Sequence, residues 1–194
     1  AHTVTFASLT QYQLTNTLVA GSVSSVTASQ TGDFWYDAGT SVSVVLNYVW
    51  GATSSSRSNL LSYTVDSTTT PVSRANSGTF NVPAFVMSAA RSVGDAGVTQ
   101  YLLTVVGGDG VSYGTASPTG DNWYDSTQST TVSSNGVYNR VSGVGLRVSS
   151  WQVDSGTVNS VATTGTVTTS SVSMSAAHTV TFASLTQYQL TNTL

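Results

Sequence analysis

Apolar and polar residues alternate along much of the chain, and the alternation predicts strands. From 41 to 50, Val42, Val44, Leu46, Tyr48 and Trp50 share one face, while Ser41, Ser43 and Asn47 lie on the other. Val4 and Phe6 alternate in the same way, Leu14 follows Tyr12 at the same parity, and Tyr63/Val65 and Trp151/Val153 repeat the pattern. Clusters of Gly, Asn, Asp and Ser at 20–22, 31–40, 51–59, 107–110, 117–122 and 134–136 break these runs into short pieces. Strong helix formers are scarce, whereas Val (28 residues), Thr, Tyr and Trp abound, so the expected class is all-β.

Internal repetition sets the organisation. Residues 1–18, AHTVTFASLTQYQLTNTL, recur letter for letter at 177–194, an offset of 176. A looser repeat lies inside that period. Tyr12-Gln-Leu-Thr15 matches Tyr101-Leu-Leu-Thr104 and Tyr188-Gln-Leu-Thr191, at offsets of 89 and 87. Gly32-Asp-Phe-Trp-Tyr-Asp37 matches Gly120-Asp-Asn-Trp-Tyr-Asp125, Tyr63-Thr-Val-Asp66 matches Trp151-Gln-Val-Asp154, and Met87-Ser-Ala-Ala90 matches Met174-Ser-Ala-Ala177. The reading is two diverged copies of one unit of about 88 residues, each with six or seven short strands, the count of a small β-sandwich. The expected boundaries are a closing strand of a preceding repeat at 1–11, repeat 1 at 12–100, repeat 2 at 101–187, and the opening strand of a following repeat at 188–194.

Composition removes several function classes. The formal charge is −3, and only 7% of residues are charged, against about 25% in an ordinary soluble protein. The five cations are the scattered Arg57, Arg74, Arg91, Arg140 and Arg147, which form no basic stripe for nucleic acid. The absence of Cys removes disulfides, thiolate zinc sites and thiol catalysis; the absence of Lys removes Schiff bases and Lys–Asn isopeptide bonds. No apolar run approaches a membrane helix, and no secretory signal is present, so the chain reads as a mature or internal segment. Ser (33) and Thr (32) make a third of the chain; they pave a surface nearly free of charge and offer O-glycan acceptors, whereas no Asn-x-Ser/Thr sequon occurs. Such a surface resists self-association weakly, and lateral contacts between copies are expected.

The landmarks resemble the divergent internalin-type B-repeats of bacterial and archaeal cell-surface proteins, an Ig-like tandem repeat family. The residues that carry the likeness are Tyr101-Leu-Leu-Thr-Val105, Gly107-Gly108, Trp35-Tyr-Asp-Ala-Gly-Thr40, Trp151, and Met174 with Val180-Thr-Phe182. The second copy departs from the pattern, with Ser126-Thr-Gln128 in place of Gly-Thr. The resemblance implies extracellular, non-enzymatic modules of adhesins and surface fibres, with two tandem Ig-like β-sandwiches as the fold and β-grasp-like repeats as the alternative. The duplicated ends point to copies of the chain in a linear fibre as partners, and the matched aromatics to cell-surface or extracellular glycans as the alternative.

Candidate chemistry is sparse. Asp33, Asp37, Asp121 and Asp125 flank matched aromatic pairs, and hard carboxylates in turns suit Ca²⁺; the competing reading is an Asx turn in which the carboxylate caps its own backbone. Trp35, Trp50, Trp123, Trp151, Tyr36 and Tyr124 offer a sugar-stacking platform or, more commonly, core packing. Gly110-Val-Ser-Tyr-Gly114 fits the nucleophile-elbow spacing but lacks a following helix pattern, and His2 and His178 read as outward-facing strand residues. The expectation is a structural protein with no catalytic residue and no cofactor beyond that calcium candidate.

Overall fold

The computed structural model describes residues 2–191. Among them there is no helix, and the chain divides into two compact units: residues 1–52 with 58–98, and residues 53–57 with 99–194.

Unit 1 carries β1 (Gln11–Thr17), β2 (Val23–Val26), β3 (Trp35–Asp37), β4 (Ser41–Asn47), β5 (Val49–Trp50), most of β6 (Ser56–Val65), β7 (Thr68–Pro71), β8 (Thr79–Val86) and the first half of β9 (Arg91–Val106). One sheet has β4 between β2 and β8, all antiparallel. In the other, β1 pairs antiparallel with β3 and parallel with β9, and β9 pairs with β6, which also holds β5 and β7. The period-2 pattern explains the core: Val42, Val44, Leu46, Val82 and Phe85 from the first sheet meet Leu14, Tyr36, Leu60 and Val93 from the second in one buried cluster. Tyr48, Trp50 and Tyr63 pack at its margin.

Unit 2 carries the second half of β9, then β10 (Ser112–Tyr113), β11 (Trp123–Asp125), β12 (Ser129–Thr130), β13 (Val132–Ser134), β14 (Val137–Val141), β15 (Val144–Val153), β16 (Asn159–Ser160), β17 (Val167–Thr168), β18 (Val172–Ser173) and β19 (His178–Tyr188). β9 pairs antiparallel with β11 and parallel with β19; β15 pairs antiparallel with β19, β14 and β16. The short ladders β10–β13–β17 and β12–β18 supply Val132, Val167 and Val172, which meet Leu103, Tyr124, Val148, Val180 and Phe182 in the unit's core.

Two parts of the expected pattern take other forms. The alternation at Val4 and Phe6 makes no strand: residues 2–10 belong to none and are exposed, although the identical residues 178–186 lie within β19. Tyr12, Tyr48 and Val153, on the apolar side of the alternation, are only half-buried, because each lies toward the rim of its cluster.

Candidate functional site

In each unit the strand that ends the expected repeat runs parallel to the strand that opens it and lies inside the larger sheet. In unit 1 it is the first half of β9, whose residues 91–94 pair with 14–17 of β1. In unit 2 it is β19, whose residues 178–181 pair with 103–106 of β9. An acid anchors the start of each. Asp66, at φ 55°, accepts the Ser92 amide (3.0 Å) on one carboxylate oxygen and the Arg91 guanidinium (2.9 Å) on the other, and its own amide donates to the Ser92 carbonyl (2.8 Å). Asp154, at φ 52°, accepts the Thr179 amide (2.8 Å) and His178 Nδ1 (2.7 Å), and its amide donates to the Thr179 carbonyl (2.7 Å). His178 Nε2 lies 3.0 Å from the Ser173 carbonyl, so both ring bonds form at once only when both nitrogens carry hydrogen. Partial burial raises the Asp154 pKa, but the Thr179 amide and His178 outweigh it, and the carboxyl lies below its ordinary value. The sequence comparison aligned Asp66 with Asp154 without assigning them a role; an acid directly after a matched strand was the available signal.

The two closing strands are fitted to different seats. Where unit 1 has Asp95, whose carboxylate accepts the Val19 amide (2.7 Å), unit 2 has Phe182, which is 3% exposed. Phe182 fits because Gly107 and Gly108 face it: a β-carbon on Gly107 would stand 2.3 Å from the Phe182 carbonyl oxygen, and one on Gly108 3.2 Å from its ring. Where unit 1 has Gly97 beneath the Trp50 indole, unit 2 has Ser184, whose hydroxyl lies 2.7 Å from that of Tyr138.

The four aspartates proposed for calcium are all engaged by protein donors. Asp33 accepts the Trp35 amide (3.2 Å) and the Thr31 hydroxyl, an Asx-type turn that, Thr31 first, lowers its pKa. Asp37 accepts Gln11 Nε2 (2.9 Å), and Asp125 accepts Gln100 Nε2 (3.0 Å). Asp121 makes an ion pair with Arg57 (2.9 Å) and accepts the Thr119 hydroxyl (2.5 Å). Arg57 also donates to Gln100 Oε1 (2.9 Å) and lies over the Trp123 ring, 4.6 Å from its centroid. Arg57 and Gln100 are both buried, so Asp121, Arg57, Gln100 and Asp125 form one connected polar network in unit 2. Among the described residues no group of three or more His, Cys, Asp or Glu side chains is placed to hold a metal ion.

Tyr36 and Tyr124 are fully buried; burial raises both phenol pKa values, and they donate to the carbonyls of Thr27 (2.6 Å) and Thr115 (3.1 Å). Trp50 and Trp151 pack against the cores and Trp123 lies beneath Arg57, which leaves Trp35, 41% exposed, as the most open indole. Within each unit the buried tyrosine therefore takes no part in an open stacking face. Ser112 of the Gly110–Gly114 segment sits on β10, and a loop follows it. His2 is exposed, whereas His178 is held as described above. An open cleft of unit 2 lies at the β14–β15 turn among Arg140, Gly143, Gln187 and Gln189, with Arg140 its one charged side chain.

The chain matches no protein-family model, no curated protein and no solved structure.

Proposed function

We propose that the chain is a structural segment of an extracellular fibre or cell-surface filament. It is built from two diverged copies of one Ig-like β-sandwich module of about 88 residues. Modules follow head to tail, either as a tandem array of 176-residue periods or by exchange of end strands between chains, and such a non-closing interface propagates into a linear assembly. The chain acts mechanically: it supplies length and, with no Lys and five Arg, few sites for trypsin-like proteases.

One observation carries this reading: the same backbone map recurs in both units at the repeat offset. Gln11↔Asp37, Tyr12↔Tyr36 and Gln13↔Trp35 correspond to Gln100↔Asp125, Tyr101↔Tyr124 and Leu102↔Trp123. Leu14↔Arg91 corresponds to Leu103↔His178, and the tyrosine bonds to Thr27 and Thr115 span the same nine residues.

The test is labelling of intact source cells with an antibody against the chain. Filaments decorated outside the cell are expected, and label confined to the cytoplasm overturns the reading. Boiling isolated fibres in denaturant separates the two modes of assembly: a 20.0 kDa band means exchanged subunits, and material far above that mass means one polypeptide.

A further inference from the structure

We infer that residues 2–8 are a docking strand for a second copy of this chain, addressed to the β19 seat of unit 2 and refused by the corresponding seat of unit 1. The inference rests on the head-to-tail assembly above and names which surface receives the incoming strand.

The segment His2-Thr-Val-Thr-Phe-Ala-Ser8 is the sequence of His178–Ser184, so every contact that seats those residues in unit 2 is available to it. His178 finds Asp154; the Thr179 amide finds the other oxygen of the same carboxylate; Val180 and Phe182 are 0% and 3% exposed; and the Ser184 hydroxyl meets Tyr138. The free segment leaves the same groups unburied, with Val4 74% and Phe6 92% exposed. That is an exposed apolar segment whose sequence forms a strand elsewhere in the same chain, the kind that adds to or replaces a strand in a sheet.

The seat of unit 1 is built for other residues. A phenylalanine at the Asp95 position meets Leu18 and Val19 where unit 2 has Gly107 and Gly108, and the Val19 amide loses its carboxylate. A serine at the Gly97 position places its β-carbon 2.4 Å from the Trp50 ring. Discrimination therefore comes from steric clash and a lost hydrogen bond as much as from attraction. The assembly that results alternates in a fixed order, with unit 1 of each chain following unit 2 of another.

Incoming and resident strands make the same contacts, so their difference is the tether: β19 competes at an effective concentration in the millimolar range. Exchange consequently appears on refolding at high protein concentration.

The test uses the 194-residue chain, which has no cysteine of its own. Thr181 faces Gln152 in the β15–β19 register, so Thr5 of an incoming chain faces Gln152. A Thr5→Cys/Gln152→Cys chain is refolded over a range of concentrations and bridged with a short bismaleimide. The comparison chain carries Thr5→Cys/Thr64→Cys, which probes the matched position of unit 1. The expected result is an interchain ladder in steps of 20.0 kDa for the first pair, growing with concentration and exceeding the second pair about tenfold. Adding Phe6→Ala, at a side chain with no packing role in the monomer, removes most of the ladder. Absence of the ladder at every concentration, equal ladders for the two pairs, or a ladder indifferent to Phe6→Ala overturns the inference. None of these results depends on cell labelling, so a covalent fibre can stand while the exchange fails.

Discussion

Gly97 lies so close beneath Trp50 that a β-carbon there would stand 2.4 Å from the indole Cη2. At the matched place in unit 2, Ser184 and Tyr138 share a 2.7 Å hydrogen bond instead. A small residue is paired with the large ring and a larger residue with the smaller ring, so the volume at the contact is balanced across two side chains.

Gly97→Ser therefore overpacks unit 1 and destabilises it by about 1–3 kcal/mol. Adding Trp50→Tyr restores most of the loss, because the pair then reproduces that of unit 2. A double-mutant cycle by denaturant unfolding measures the coupling, and additive effects would refute it.

Phe182 and Phe6 hold the same position in identical sequences, one 3% and the other 92% exposed. Phe182→Ala costs about 3–5 kcal/mol of unit 2 stability, the range for emptying a buried aromatic site. Phe6→Ala changes monomer stability by no more than about 0.5 kcal/mol. Parallel urea titrations of the two variants check the contrast.

Asp154 gives unit 2 a dependence on acid pH. Its folded pKa is depressed, so its contribution is fully present above the ordinary carboxylate range and is lost as pH falls through the folded value. The side chain is 46% exposed, and solvent screening keeps the effect modest. Thermal unfolding below about pH 4 should show an acid loss in unit 2 that Asp154→Asn flattens.

Arg57→Ala takes the guanidinium from Asp121, which keeps only the Thr119 hydroxyl, and from the buried Gln100 Oε1, and unit 2 loses about 3 kcal/mol. Asp121→Asn, which keeps an acceptor oxygen for Arg57, costs less. Differential scanning calorimetry of the two variants tests this order.

Calcium should leave the chain unchanged, because Asp33, Asp37, Asp121 and Asp125 each already hold protein donors. Millimolar calcium is expected to shift neither thermal transition, and calorimetric titration is expected to give no binding heat. A saturable heat would mean that the ion displaces those donors.

The sequence by itself determined the all-β class, because period-2 alternation with few helix formers leaves the chain no other way to bury Val42, Val44 and Leu46. It also aligned Tyr36 with Tyr124 and Asp66 with Asp154, since similar local motifs surround the members of each pair. It could not assign those acids a task, because an aspartate after a strand anchors a partner only when a distant strand supplies the amide, here Ser92 or Thr179. The four aspartates beside the aromatic pairs carry two readings in the sequence, and their partners lie partly beyond local pattern: Arg57 reaches Asp121 across 64 residues. Residues 2–8 and 178–184 mark the boundary most sharply. Their identical side chains carry identical propensities, yet one copy is a buried strand and the other exposed chain. Strand formation there depends on the edge that receives it, since backbone amides and apolar side chains gain only when β9, β15 and Asp154 stand ready to pair with and cover them.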